Sequence, residues 1–296
     1  MKKGPLCVLA CYILWGLLPG YWKLLSAVPS LYVLASRIVW SLVFVGLLLA
    51  LRHSFGDVRA LFHNRRQWLR LMAAGVLITV NWGSFIVAVS SGHILDSSLA
   101  YYMNPILTIL IGTLVFREKL TKLQWLSVGI TAAGLVVTIL RYGEIPWLAL
   151  VIGGSFALYG AVKKGVTVDA QTSLLVETLT VAPFALLFLL WSEKNGVGAI
   201  GVLHGGGWLL LLASGIVTSV PLLFYAVGIR TTPYTMAGIL MYINPTMQLL
   251  TGVFFYGETF TATHGILFGF VWTGLLLYVG SDWLTHRREK ENIQCE

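Results

Sequence analysis

The stretch YYMNPILTILIGTLVFREKLT at residues 101–121 returns later in the chain as MYINPTMQLLTGVFFYGETFT at residues 241–261, so that position n of the first copy corresponds to position n + 140 of the second. Over the 40 ungapped positions from 97–136 and 237–276, ten residues are identical. In the first copy these are Tyr102, Asn104, Pro105, Leu110, Gly112, Glu118, Thr121, Gly129, Gly134 and Leu135. Shared apolar composition would match a few Leu or Gly residues, but it would rarely align Tyr-x-Asn-Pro, then Gly, then Glu in one register. The chain therefore contains an internal repeat, which we interpret as a duplication.

The composition indicates which solvent surrounds this duplicated chain. It has 296 residues, of which 57% are hydrophobic and 11% are charged, and its mean hydropathy is +0.82. A soluble domain carries about 25% charged residues. This composition excludes a soluble globular enzyme, a disordered chain and a nucleic-acid-binding module, in spite of the net charge of +8. Because lipid cannot hydrogen-bond an open backbone, we expect a bundle of membrane-spanning helices.

Apolar stretches between charged or Gly/Pro breaks predict ten helices, each long enough to cross about 30 Å of hydrocarbon. They cover residues 5–24, 31–51, 68–90, 96–116, 121–140, 146–162, 171–191, 207–227, 234–256 and 263–282. The shift that relates the two copies spans five helices, an odd number, so the second copy is inverted. The predicted fold is an all-α integral membrane protein with ten transmembrane helices, arranged as two inverted five-helix repeats around a central cavity.

The same division predicts a first repeat at 1–142, a second at 143–285 and a polar cytoplasmic tail at 286–296. Inverted repeats are an architecture of secondary transporters, whose binding sites lie near the midplane between the halves. The alternative is an old duplication that now serves only as scaffold.

The distribution of Lys and Arg predicts the orientation. If the N-terminus is cytoplasmic, 16 of the 20 basic residues fall in cytoplasmic loops or ends. Only Lys23, Arg141 and Lys194 then face the other side, and Arg37 lies inside a helix. We therefore expect both termini in the cytoplasm.

Two charged residues fall mid-way along predicted membrane helices, and the shift between the copies relates their positions. Arg37 lies in the second helix and Glu177 in the seventh. A charge at mid-bilayer costs from about 2.5 to over 10 kcal/mol, so it must pair or line a wet cavity. We expect the two side chains to face each other or a shared cavity. They form either a static ion pair or a site for substrate or a coupling proton, with Glu177 as the proton carrier.

A second candidate group is polar or aromatic and lies at mid-helix depth. Its members are Asn81, Trp82, Tyr101, Tyr102, Asn104, Tyr225, Tyr242, Asn244 and Gln248. Pro105 and Pro245 each remove a backbone hydrogen bond, so both helices are expected to kink. The neighbouring asparagines then either satisfy the freed carbonyls or bind a ligand. The aromatic side chains suit an amphipathic ligand and equally suit packing.

Other features receive structural interpretations at this point. Lys163 and Lys164 are expected to snorkel at the cytoplasmic end of the sixth helix. Glu118 and Glu258 are expected to anchor helix ends, with a gating role as the alternative. A set of glycines is expected to allow close helix approach, namely Gly112, Gly129, Gly134, Gly252, Gly269 and Gly274.

Common enzyme signatures are missing from the sequence. It contains no GxxxxGK[ST], HExxH or GxSxG motif and no metal-ligand spacing. We expect no cofactor, no metal and no enzymatic activity. The alternative is a membrane enzyme or lipid-handling protein that uses His93 and Asp96 as acid and base. For this pair a helix N-cap at Asp96 with an exposed histidine is the simpler interpretation.

Several segments resemble EamA-type permeases of the drug/metabolite transporter superfamily, and the RarD-type subfamily in particular. They include Asn81-Trp82-x-x-Phe85-Ile86, Ser98-Leu99-x-Tyr101-Tyr102-x-Asn104-Pro105, Glu118-Lys119-Leu120, Ser155-Phe156-Ala157-x-Tyr159-Gly160, Glu177-Thr178 and Tyr242-Ile243-Asn244-Pro245. The resemblance covers nearly the whole chain. It implies a multi-pass protein of the bacterial inner membrane, with a central cavity, that exports small metabolites or drugs.

Together these observations predict a secondary active transporter that works by alternating access. Its substrate is expected to be a small amphipathic or zwitterionic metabolite or drug, exchanged for protons. Arg37 would hold a carboxylate or pair with Glu177, and the second candidate group would line the cavity. The expected partners are the substrate, protons and the lipid bilayer, without nucleic acid.

Overall fold

The chain is described here from a computed structural model, which covers residues 3–53, 55–61, 63–91, 94–142, 147–256 and 262–294. Within these residues the fold is all-helical. The helices are α1 (Lys3–Lys23), α2 (Ser30–Leu51), α3 (Phe55–Leu61), α4 (Arg65–Ser90), α5 (Ile94–Leu114), α6 (Lys122–Tyr142), α7 (Trp147–Lys164), α8 (Ala170–Lys194), α9 (Gly206–Thr231), α10 (Tyr234–Leu240), α11 (Ile243–Tyr256) and α12 (Ala262–Gln294).

The all-α membrane class predicted from the sequence is confirmed. Seven described helices are long and apolar enough to cross a membrane, and residues 99–114 form a shorter apolar helix. The count of ten spans stays a prediction. Apart from shifts of a few residues at helix ends, the observed helices depart from the predicted ones at three places: the short α3, a break that divides 234–256 into α10 and α11, and the extension of α12 to Gln294.

The ninth predicted helix breaks just before its proline. Met241 and Tyr242 separate α10 from α11, and Pro245 follows in the first turn of α11, where a missing N–H costs little. The carbonyl of Met241, which Pro245 cannot bond, accepts from the backbone N–H of Asn244 at 3.0 Å. Its counterpart Pro105 lies inside the continuous helix α5. The two copies therefore differ at their most similar segment.

We call the end of the bundle where α1 begins the near end. There a Cβ on Gly4 would meet the hydroxyl of Thr232 at 3.0 Å, and Lys164 Nζ donates to the carbonyl of Thr232 at 2.5 Å. Helix α1 thus begins where α7, its counterpart in the second copy, ends. The two copies run in opposite directions, as the odd number of helices in the repeat predicts.

We call the opposite end, where α1 ends and α2 begins, the far end. Here the Tyr21 hydroxyl donates to the carbonyl of Leu210, and the Tyr32 hydroxyl donates to Glu193 Oε1 at 2.5 Å. A buried apolar cluster that includes Leu25 and Leu203 packs beneath the connecting loops. These contacts hold the ends of α1, α2, α8 and α9 together.

Helix packing is symmetric when the two halves are exchanged. Helix α1 packs on α9 as α7 packs on α4, while α2 packs on α8, α6 on α12 and α5 on α10. The hydroxyl of Tyr242 reaches the carbonyl of Tyr102, its own counterpart, at 3.4 Å. A pseudo-two-fold relation between the copies follows from this pattern.

Glycines mark the closest helix contacts. A Cβ on Gly75 would lie 2.5 Å from the carbonyl oxygen of Glu177, and one on its counterpart Gly215 would overlap the backbone of Trp40. The sequence analysis missed this pair. Of the glycines it selected, Gly112, Gly134 and Gly274 do face close neighbours, whereas a Cβ on Gly129 or Gly269 would meet nothing within 4 Å. For the last two the prediction of close approach is wrong.

Candidate functional site

A cavity of about 530 Å³ lies inside the bundle and opens at the far end. Its rim includes the exposed Ser26, Ser30 and Ser90, which lie where α1, α2 and α4 meet the far-end loops. Its walls descend along one face of each helix, as shown by the spacing of Trp15, Leu18, Pro19 and Trp22 on α1 and of Ser30, Val33, Leu34 and Arg37 on α2. This volume lies within the range of small-molecule pockets.

Four residues of α2 line the cavity, and Arg37 is the one farthest from the opening at the far end. Its guanidinium carbon lies 3.9 Å from the ring centroid of Trp82 and 5.2 Å from that of Trp22, so the cation stacks between two indoles. No described carboxylate forms an ion pair with it, and its Nε atom is buried without a hydrogen-bond partner. A partly buried cation therefore faces an aromatic cavity with part of its bonding capacity unused.

Two further lining residues carry buried polar atoms without partners. They are Asn104 Oδ1 on α5 and Thr218 Oγ1 on α9. Since buried polar atoms are nearly always hydrogen-bonded, such atoms beside one cavity point to a ligand or ordered water.

The other polar lining groups interact with one another or with the scaffold. Asn81 Nδ2 donates to the carbonyl of Ile152 at 2.6 Å, and thereby joins α4 to α7. Gln248 Nε2 donates to Asn244 Oδ1 at 2.8 Å. Tyr101 lies beside both Gln248 and Arg37. These amides and the tyrosine form a polar part of the cavity wall, away from the opening at the far end.

An aromatic plug closes the cavity toward the near end. We use this name for Tyr12, Trp15, Phe156, Tyr159 and Tyr225. Trp15 and Phe156 line the cavity floor with ring centroids 5.4 Å apart, and Tyr225 contacts both from below at 5.8 and 5.7 Å. Tyr159 stacks on Tyr225 at 5.8 Å. Such packing separates the far-end opening from the near end.

A buried ion pair lies beside the plug. Lys163 Nζ lies 2.6 Å from Glu177 Oε1 and 2.6 Å from Ser173 Oγ, which itself donates to Glu177 Oε1 at 2.8 Å. The Tyr159 hydroxyl donates to Glu177 Oε2 at 3.2 Å. The lysine is 1% exposed and the glutamate 2% exposed. This cluster joins α7 to α8 on the near side of the plug.

The ion pair corrects two predictions. Arg37 and Glu177 do not pair, because Lys163 occupies the carboxylate and Glu177 does not line the main cavity. Trp82 lies between them, since it lines both the cavity and a small void beside Glu177. Lys163 does not snorkel to the membrane surface, because a carboxylate is available inside the bundle.

Glu118 connects the two copies at the near end. Its carboxylate accepts from the backbone N–H groups of Tyr234 and Thr235 at 2.6 and 2.8 Å, and so caps the start of α10. Lys164 Nζ lies 3.7 Å from the same carboxylate. The interpretation of Glu118 as an anchor at the end of its own helix is therefore incomplete, because the residue holds a helix of the opposite repeat.

The structure brings seven of the eleven predicted site residues to the cavity wall. These are Arg37, Asn81, Trp82, Tyr101, Asn104, Asn244 and Gln248. Glu177 and Tyr225 lie in the near-end closure, while Tyr102 and Tyr242 pack at the interface of the two copies. The sequence analysis missed Trp15, Trp22, Phe156 and Thr218. The helical spacing of Trp15, Leu18, Pro19 and Trp22 could have indicated a lining face on α1.

Two alternatives from the sequence fall outside what the structure covers. His93 and Glu258 lie outside the described residues, and so does the side chain of Asp96. Among the residues that are described, no group of three or more His, Cys, Asp or Glu side chains could hold a metal ion.

Comparisons with known proteins agree with this geometry. The model of the EamA-like transporter family matches the chain twice, at residues 2–140 and 145–280. The chain belongs to the EamA-like transporter family. The gap between the two matches lies near the predicted boundary between the repeats. The description of the family as transporters agrees with a cavity that is open at one end.

Curated relatives of this family extend over nearly the whole chain. An uncharacterized transporter, YojE, of Bacillus subtilis is 40% identical over 98% of both chains. Protein RarD of Escherichia coli is 35% identical over 97% of both. The chloramphenicol-sensitive protein RarD of Pseudomonas aeruginosa is 30% identical over 93% of both. The resemblance to RarD-type EamA permeases is thereby confirmed, and the chain is similar to bacterial membrane transporters.

A solved crystal structure shares the fold. It aligns with a TM-score of 0.72 over 93% of this chain and 96% of that one, at 16% sequence identity. At this identity the likeness concerns the EamA fold alone.

Proposed function

We propose that this protein is a secondary active transporter that exports a small amphipathic or zwitterionic metabolite or drug in exchange for protons. The observation that supports this most directly is the cavity of about 530 Å³, open at the far end and closed below by the aromatic plug. The near end is cytoplasmic in this proposal, in keeping with the bias of Lys and Arg. The structure then corresponds to an outward-open state.

The pseudo-symmetry of the copies supplies the transport cycle. In inverted-repeat carriers the two halves exchange conformations, so the closed end of one state resembles the open end of the other. Opening the near end requires the plug, the Lys163–Glu177 pair and the Glu118 cap to separate. Closing the far end requires α1 and α2 to approach α4 and α11 over the bound substrate.

Glu177 is the proton carrier in this cycle. Opening the near end admits water to the Lys163–Glu177 pair and separates the charges. Water at the open near end brings protons to this carboxylate while it is separated from Lys163. Proton uptake on one side and release on the other would couple the gradient to the cycle.

Proteoliposomes that contain the purified chain test the proposal. They are supplied with a bacterial metabolite extract and chloramphenicol under a proton gradient, and mass spectrometry measures which solutes accumulate. We expect accumulation of at least one solute, and its loss with a protonophore. Accumulation equal to that in empty liposomes would contradict transport, and concentrative transport that survives the protonophore would contradict proton coupling.

Matched variants separate transport through the cavity from leakage. V33W places an indole at a lining position and should abolish accumulation, whereas V80W adds the same group at an exposed, lipid-facing position and should not. The double variant K163M/E177Q should transport only downhill, since it lacks the proton carrier.

A further inference from the structure

We propose that the cavity is an organic-anion site, in which the carboxylate of the substrate binds Arg37 and the apolar body lies against the aromatic lining residues Phe85 and Phe156. This inference rests on the proposed function and narrows its substrate class from amphipathic or zwitterionic compounds to anions. The ligand class follows from three features of the site: its charge, its shape and its relation to the buried pair in the other repeat.

The charge of the described lining residues is entirely positive. Arg37 lines the cavity, and no Asp or Glu does. A partly buried arginine inside the membrane favours an anionic partner, and a carboxylate matches its planar fork with two parallel hydrogen bonds. Its Nε atom has no hydrogen-bond partner among the described residues. An ammonium group would meet only neutral acceptors and would be repelled by the guanidinium.

The shape of the site favours an anion with a flat or apolar body. The guanidinium carbon of Arg37 lies 3.9 Å from the ring centroid of Trp82, so an aromatic face borders the cation. Trp22, Phe85 and Phe156 provide apolar walls around it, and Asn104 Oδ1 and Thr218 Oγ1 are available for a second polar group. Inorganic anions would leave these walls uncovered.

The relation between the copies explains why Arg37 lacks a partner. The shift that relates the repeats places Lys23 at the position of Lys163 and Arg37 at the position of Glu177. In the second repeat lysine and glutamate pair at 2.6 Å in the closed near end. The equivalent residues of the first repeat are two cations, the exposed Lys23 and the partly buried Arg37, so they cannot form the same pair. The first repeat has Arg37 where the second has the carboxylate of Glu177. An organic anion bound to Arg37 would supply the missing negative charge and would allow the far end to close.

Binding to the purified full-length chain tests this inference without transport. Benzoate and 3-phenylpropanoate are each titrated against the matching primary amide, and 2-phenylethylamine serves as the cationic probe, with melting temperature and calorimetry as readouts. The carboxylates should bind at least about tenfold more tightly than their amides, as expected for a charge-assisted pair. Equal binding of carboxylate and amide would overturn the inference, as would binding of the amine alone.

Variants identify the residue responsible. R37Q should lower carboxylate affinity to that of the amide, R37K should retain part of it, and R65Q, which removes an exposed cation outside the cavity, should leave it unchanged. The melting temperature without ligand shows whether each variant is folded. Carboxylate binding that is unchanged in R37Q would also overturn the inference.

An anionic lipid is an alternative source of the negative charge, and it is tested in a separate titration. Dihexanoyl phosphatidylglycerol tests whether an anionic lipid headgroup fills the site instead. Binding of this lipid without binding of the carboxylates would overturn the proposal of a soluble organic anion. If neutral solutes are transported equally by wild type and R37Q, the transporter proposal stands and the anion site fails.

Discussion

The two ends of this molecule are built from equivalent positions, yet only one of them is closed. At the near end Phe156 and Tyr159 form part of the plug, whereas their counterparts at the far end are Gly16 and Pro19. The near end has the Lys163–Glu177 pair, and the far end has Lys23 and Arg37 at the same positions. The closed end therefore has the oppositely charged pair, and two of its aromatic positions are occupied by glycine and proline at the far end.

This difference shows how a duplicated fold can favour one of two pseudo-symmetric states. The scaffold that both copies share, including Gly75 with Gly215 and Gly134 with Gly274, packs symmetrically. The bias toward an open far end comes from the few side chains that have diverged. In an inverted-repeat transporter, ligand binding must then offset the packing and charge that the far end lacks.

The largest effect is expected from breaking the buried ion pair. E177Q or K163M leaves one charge uncompensated at a site that is at most 2% exposed, and each should cost about 3–5 kcal/mol of stability. R37M should cost about 1 kcal/mol or less, because no described carboxylate pairs with Arg37. Thermal unfolding of the purified variants in detergent measures the contrast.

The double variant K163M/E177Q is the control for this prediction, since it removes both charges and should recover most of the lost stability. If R37M proves as destabilising as E177Q, the cation at the far end has a structural partner, and the contrast between the two ends is wrong.

A smaller loss is expected where the two copies pack alike. G75A and G215A each introduce a Cβ that overlaps the backbone of a facing helix, and overpacking of this kind costs about 1–3 kcal/mol. G83A is the matched control, because its Cβ would meet nothing within 4 Å and alanine favours helix. Melting temperatures should fall for the first two and hold or rise for the third. A loss at only one of the equivalent glycines would show that the scaffold is less symmetric than its packing suggests.

The capping contact of Glu118 should have a moderate and local effect. E118Q removes the charge that accepts from the N–H groups of Tyr234 and Thr235, so the start of α10 should weaken by about 0.5–2 kcal/mol. Hydrogen exchange should therefore increase in peptides that cover residues 231–242 and stay constant in those from α8. K119Q, at an exposed neighbouring position, is the control. Unchanged exchange at α10 would remove Glu118 from the near-end closure.

The sequence predicted most of this fold because its main signals are local or periodic. Apolar length located the helices, and the repeated Tyr-x-Asn-Pro and Glu showed the duplication. The break at Met241 and Tyr242 was not predictable in this way, since Asn-Pro occurs in both copies and only one of them breaks. Which copy breaks depends on packing between helices distant in sequence.

The candidate site was predicted only in part, because contacts between helices that are distant in sequence are not visible in a local pattern. The cost of placing a charge in the membrane correctly selected Arg37 and Glu177 as charges inside the bundle, but it could not identify the partner of Glu177. Lys163 was assigned to a cytoplasmic helix end, and α7 does end beside it at Lys164. Its side chain nevertheless pairs with Glu177 on α8, and helix length alone does not show which neighbour a side chain near a helix end meets.

The smallest expected effect compares one substitution at two equivalent positions. K163M should be strongly destabilising, whereas K23M removes an exposed cation at the far end and should change stability by about 1 kcal/mol or less. If Lys23 approaches the bound anion as the far end closes, K23M should also weaken benzoate binding by up to about fivefold at low salt, and this difference should shrink as salt screens the charge. Calorimetry at two ionic strengths measures both. Benzoate affinity that is the same in K23M and wild type at low salt would place Lys23 outside the closed far end, and would leave Arg37 as the cation that holds the anion.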